Sequence, residues 1–75
     1  MLLFDTMADE VLQRAGLSKQ GNEEAHREVA SILAASMAHL SAAQALGQLT
    51  AHERVDAFEL QKSVLVDDLK DRLQS

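Results

Sequence analysis

Apolar residues recur every three or four positions along most of the chain, and the polar residues between them mark out three runs of helical period. Glycine supplies the punctuation, at Gly16, Gly21 and Gly47, and proline is absent. The pattern predicts helices over about 6–15, 23–46 and 51–73. Thr6 and Asp9 have the spacing of a capping box for the first, with Phe4 before it as a hydrophobic staple and Gly16 as its left-handed stop. Met7, Val11 and Leu12 give that helix one apolar side, and Leu17 lies just beyond its end. Asn22 is placed to cap the second helix, whose first turn carries Glu23 and Glu24. Gly47 ends it, and Thr50 with Glu53 forms the capping box of the third, which closes with Lys70 and Arg72 near its C-terminus. MLLFDT, residues 1–6, is the only segment with any tendency to extend.

From Val29 to His52 there is no Asp, Glu, Lys or Arg, although 25% of the chain is charged. A helix without a charged face is ordinarily a buried one. At about 100° per residue, Val29, Ile32, Leu33, Met37 and Leu40 share one side of the second helix, with Leu46 at the edge. Ala30, Ala34, Ala38, Ser41 and Ala45 form the other side, flanked by Ala35 and Ala42. Alanine is the best helix former, so this small face can simply meet water. Equally, small residues at four-residue spacing let another helix approach closely, whether the first helix, a second copy or a different protein. On the third helix Val55, Phe58, Leu65, Leu69 and Leu73 form the stripe expected to pack on the second. Lys62 falls within it, its stem on apolar surface and its head reaching solvent. Ala57, Leu60 and Val64 lie nearly opposite and cannot enter the same core. The short connection at Gly47 makes the two long helices antiparallel neighbours. The expected fold is therefore all-α: one domain, residues 1–75, with a long antiparallel helical hairpin, a short N-terminal helix packed across it, and association into a dimeric helical bundle.

Length supports the expectation of a dimer. Seventy-five residues support one core worth roughly 3–5 kcal/mol, and chains of this size commonly need a staple. Without cysteine, disulfides and thiolate metal sites are excluded, which leaves self-association. A net charge of −5 disfavours phosphate backbones and anionic lipid as partners. Two phenylalanines and no Tyr or Trp provide little to stack bases or line a ligand pocket. The uncharged stretch carries His39, Gln44, Gln48 and three serines, too polar for a membrane span. Met1 to Asp5 lack the basic start and long apolar run of a secretory signal, so a cytoplasmic location is expected.

Chemistry is sparse. His26, His39 and His52 are thirteen residues apart, which brings no pair to the four-residue spacing of a helical zinc site, and surface or boundary positions are expected. Asp67, Asp68 and Asp71 lie in a helical pattern without the glycine of a calcium loop and read as a solvated face. Neither a GxSxG nucleophile context nor a phosphate loop occurs, so no catalytic residue, metal or cofactor is expected. Ala8 to Ser18, ADEVLQRAGLS, resembles the first helix and turn of helix-turn-helix domains and the first helix of ribbon-helix-helix antitoxins. That resemblance implies DNA-linked regulation. A recognition helix after Ser18, however, would present Glu23 and Glu24 to phosphates, which they repel.

The function expected is a small, acidic, non-enzymatic regulator or adaptor that binds another protein, as a homodimer. Ala57, Leu60 and Val64 form the candidate protein-interaction ridge, with Glu53, Asp56 and Glu59 on its rim to select a basic surface. Ala30, Ala34, Ala38, Ser41 and Ala45 form the candidate dimer or helix-packing face. The alternatives are a purely structural oligomerisation unit and, below it, a DNA-linked transcriptional regulator or antitoxin.

Overall fold

A computed structural model describes the backbone of residues 3–74 and the side chains of residues 3–73. Three helices follow one another, α1 (Leu3–Arg14), α2 (Glu23–Ala45) and α3 (Ala51–Gln74), and no strand occurs among the described residues.

α1 begins a turn earlier than the capping-box spacing predicts. Thr6 lies inside the helix, and Asp9 does not reach back to a cap, because its carboxylate is taken by His26 of α2. Extending the helix through Leu3 and Phe4 lets Phe4 pack against the core from within α1. That tertiary gain outweighs a local cap. Leu3 to Thr6 are therefore helical, whereas Met1 and Leu2 of the MLLFDT segment lie outside the described residues. The Asn22 cap is also replaced. Asn22 donates through Nδ2 to the Ser18 carbonyl at 2.9 Å, and Glu23 accepts from the Gly21 amide at 3.2 Å. The Glu23 carboxyl is held below the ordinary carboxylate value first by its own backbone N–H and then by that of Gly21, so it stays ionised at the helix N-terminus.

The glycine stops act as expected. At Gly16 (φ +82°) the Leu17 amide donates to the Leu12 carbonyl and the Gly16 amide to that of Gln13, the paired bonds of a Schellman ending. The same pair recurs at Gly47 (φ +76°), from Gln48 to Ala43 and from Gly47 to Gln44. At the start of α3, Glu53 N–H donates to Thr50 Oγ1 at 3.0 Å and Thr50 N–H to Glu53 Oε1 at 2.8 Å, a complete capping box.

All three helices meet in one apolar cluster: Ala8, Val11, Leu12 and Ala15 from α1 and the turn after it, Val29 and Leu33 from α2, and Phe58, Leu65, Val66 and Leu69 from α3. Along the α2–α3 contact, Arg54 Nη1 lies 3.4 Å from Met37 Sδ, and Ala25–Ile32 line one groove together with Leu65–Arg72. Three expected core residues are outside it. Val55 and Leu73 are exposed because α1 is short and reaches α3 at Lys62 and Ser63, leaving both ends of the α3 stripe uncovered. Leu46, at the α2 C-terminus beyond the reach of α1, is 73% exposed. The Cα envelope measures 40 × 27 × 14 Å. With helix axes packing about 8–10 Å apart, 14 Å accommodates two layers, so the side of α2 and α3 turned away from α1 has no cover.

Candidate functional site

Two polar groups of α2 and α3 are buried on the side that α1 covers. His26, expected at the surface, is only 4% exposed. Its Nε2 lies 2.7 Å from Asp9 Oδ1 and 3.1 Å from the Asp5 carbonyl oxygen. Both partners accept, so Nε2 carries the proton and donates to two successive turns of α1. On α3, Lys62 is 7% exposed, and its head is met by carboxylates rather than by water. Nζ lies 2.9 Å from Glu59, 3.5 Å from Glu10 of α1 and 5.9 Å from the centre of the Phe58 ring. Arg14 adds a longer contact to Ser63. α1 is thus tied to α2 through His26 and to α3 through Lys62.

The Lys62 amine is raised above its ordinary value of 10.5, chiefly by the hydrogen bond to Glu59 and also by the charges of Glu10 and Glu59, while burial opposes the shift. The folded state therefore holds this proton more tightly than the unfolded chain does. The resulting stabilisation is complete below the ordinary value and is lost as pH rises through the raised one. In thermal melts between about pH 9 and 12, the native chain is expected to lose Tm more steeply than Lys62→Met. Parallel slopes would show that the cluster adds no net stability.

On the side away from α1, two depressions run along the seam of α2 and α3. One of about 210 Å³ is lined by Ser36, His39, Leu40, Ala57 and Gln61. The other, narrower and about 20 Å³, is lined by Ala25, Glu28, Val29, Ile32, Leu65, Asp68, Leu69 and Arg72. Neither has an α1 residue in its lining. Ala57 is half-buried in the wall of the first, and beyond it on α3 stand Leu60, 66% exposed, and Val64, 52% exposed. The structure thus places Ala57, Leu60 and Val64 together on one uncovered flank of a groove. Their rim differs from the one expected. Glu59 is turned inward to Lys62, Glu53 closes the α3 cap, and Asp56 lies 3.3 Å from His52 Nε2, which leaves Asp68 and Glu28 flanking the seam.

The small face of α2 is divided. Ala30, one turn beyond His26, packs against the core and Ala34 is half-buried, whereas Ala38, Ser41 and Ala45 are exposed. α1 is about 18 Å long, too short to follow α2 to its end. No family model, curated protein or solved structure matches the chain.

Among the described residues no three His, Cys, Asp or Glu side chains are arranged to hold a metal ion. No helix among them is long and apolar enough to cross a membrane. Sequence spacing does not bring His26 to a clamp with α1, nor Ser36, His39 and Gln61 to one surface. The i, i+4 relation of Ala57 to Gln61 was visible there, but the pairing with Ser36 and His39 depends on how α2 and α3 align.

Proposed function

We propose that this chain is a small acidic regulator or adaptor that acts without catalysis, docking onto another protein through the Ala57, Leu60 and Val64 flank. The observation that carries this reading is the exposure of Leu60 and Val64 beside an uncovered groove. An isolated exposed leucine is ordinary, but apolar side chains one turn apart along a groove are what a helix-in-groove contact uses. In this reading the two long helices form an antiparallel hairpin with α1 across one side, and the mechanism is occlusion: the bound partner's apolar face is withdrawn from its other uses.

The same reading includes a homodimer seamed on Ala30, Ala34, Ala38, Ser41 and Ala45. The exposed half of that face lies in the uncharged stretch of α2, where two copies of an acidic chain can meet without repulsion. The exposed Ala38, Ala45 and Leu46 also favour a second reading, a purely structural oligomerisation unit. Light scattering after size exclusion, with an apolar fluorescent dye added, separates the two. The regulator is expected to be a dimer that still binds dye, and Ala34→Glu with Ala38→Glu is expected to halve its mass. A dimer that binds no dye supports the structural unit, and an unchanged mass in the double variant removes the Ala face as seam.

A further inference from the structure

The charge pattern of α3 identifies the chemistry of the partner, given the protein-binding reading above. α3 carries six acids and four bases. Lys62 is buried and Arg54 is half-buried against Met37, so two of the bases face inward. Arg72 is paired with Asp68 at 2.9 Å. Glu59 is turned inward to Lys62 and Asp56 meets His52, which leaves Glu53, Asp67, Asp68 and Asp71, and these four positions are not scattered. Glu53, Ala57, Leu60, Val64, Asp67 and Asp71 follow one another at three- and four-residue steps, with Asp68 beside Asp67, confining them to about a quarter of the helix circumference. The stripe reads acid, apolar centre, acid over about 27 Å. Its sector lies opposite the buried Phe58, Lys62, Leu65 and Leu69.

A stripe acidic at both ends discriminates among occupants. Two copies placed stripe to stripe bring acids against acids whether they run parallel or antiparallel, and like charges juxtaposed in this way oppose association. A helix with an apolar centre and basic residues at each end meets both needs at once. We infer that the Ala57–Leu60–Val64 surface and its groove take a basic amphipathic helix of a partner protein and reject a second copy.

Two synthetic helical peptides test this, sharing one leucine stripe of i, i+4 and i+7 and differing only in whether Lys or Glu flanks it at both ends. Each is titrated into the isotope-labelled full chain and followed by amide NMR. The Lys-flanked peptide is expected to shift Ser36, His39, Ala57, Leu60, Gln61 and Val64, with affinity falling at least about tenfold in Leu60→Asp and declining with salt. Its Glu-flanked twin is expected to shift none of them. Asp67→Lys with Asp71→Lys, both exposed positions, should abolish most of the preference for the Lys-flanked peptide, and circular dichroism of each variant confirms its helicity. Equal binding of the two peptides at these residues overturns the basic partner while sparing the docking surface. Dissociation of a dimer by Leu60→Asp overturns it in favour of a second copy. Absence of shifts from either peptide overturns both the inference and the reading beneath it.

Discussion

Leu33→Ala is expected to leave the chain largely unfolded at room temperature. Leu33 is fully buried, so removing its branched end opens a cavity in the apolar cluster to which all three helices contribute. Such truncations cost about 2.7–5 kcal/mol, the transfer free energy of the lost methyls plus the residual cavity. A core of this size supplies only about 3–5 kcal/mol, so the two are comparable. Leu33→Met, which conserves volume, should cost less than about 1.5 kcal/mol and retain cooperative melting. Far-ultraviolet circular dichroism of the two variants checks the contrast. A Leu33→Ala chain that melts only a few degrees below the native one would place most of the stability in association between copies rather than in this core, and its Tm would then depend on concentration.

His26→Ala is expected to cost about 2 kcal/mol, with the loss concentrated in α1. The substitution removes the donor shared by Asp9 and the Asp5 carbonyl and leaves a gap at a buried position. Asp9 is itself half exposed, so water recovers part of the loss and the effect stays below that of a core truncation. Hydrogen exchange should show α1 amides losing protection before those of α3, because α1 is only twelve residues long and cannot persist as an isolated helix. Asp9→Asn serves as the control. Its amide oxygen can still accept from Nε2–H, so it should retain most of the stability that Asp9→Ala loses. If Asp9→Asn and Asp9→Ala fall equally, the contact depends on the carboxylate charge rather than on the hydrogen bond.

The two buried polar clamps explain an asymmetry that matters for function. α2 and α3 each have a second side, and α1 can cover only one of the two faces their pairing creates. Apolar packing alone does not choose between them, since both offer leucine and alanine. His26 favours the observed one, because its acceptor pair, Asp5 and Asp9, comes from α1, and Lys62, already paired with Glu59 of its own helix, gains the Glu10 carboxylate there. Left unpaired, His26 would cost the desolvation of a buried polar group. The face bearing Ala57, Leu60 and Val64 is uncovered as a consequence.

Local interactions within one helix or turn could be read directly from the residues. Three helices, the left-handed stops at Gly16 and Gly47 and the reciprocal cap of Thr50 and Glu53 depend on backbone groups within a few residues of one another, so spacing suffices to specify them. The period of α3 likewise set Leu60 and Val64 opposite Phe58 and Leu65, whatever packs on either side. The start of α1 was not determined in this way. Thr6 and Asp9 have a correct capping pattern, but Asp9 bonds across the fold to His26 and Phe4 packs from inside the helix, both through contacts distant in sequence. The same holds for the burial of His26 and Lys62, the exposure of Val55, Leu73 and Leu46, and the meeting of Ser36 and His39 with Ala57 and Gln61. Each depends on the length of α1 and the side it takes, and those are settled by side chains from all three helices acting together.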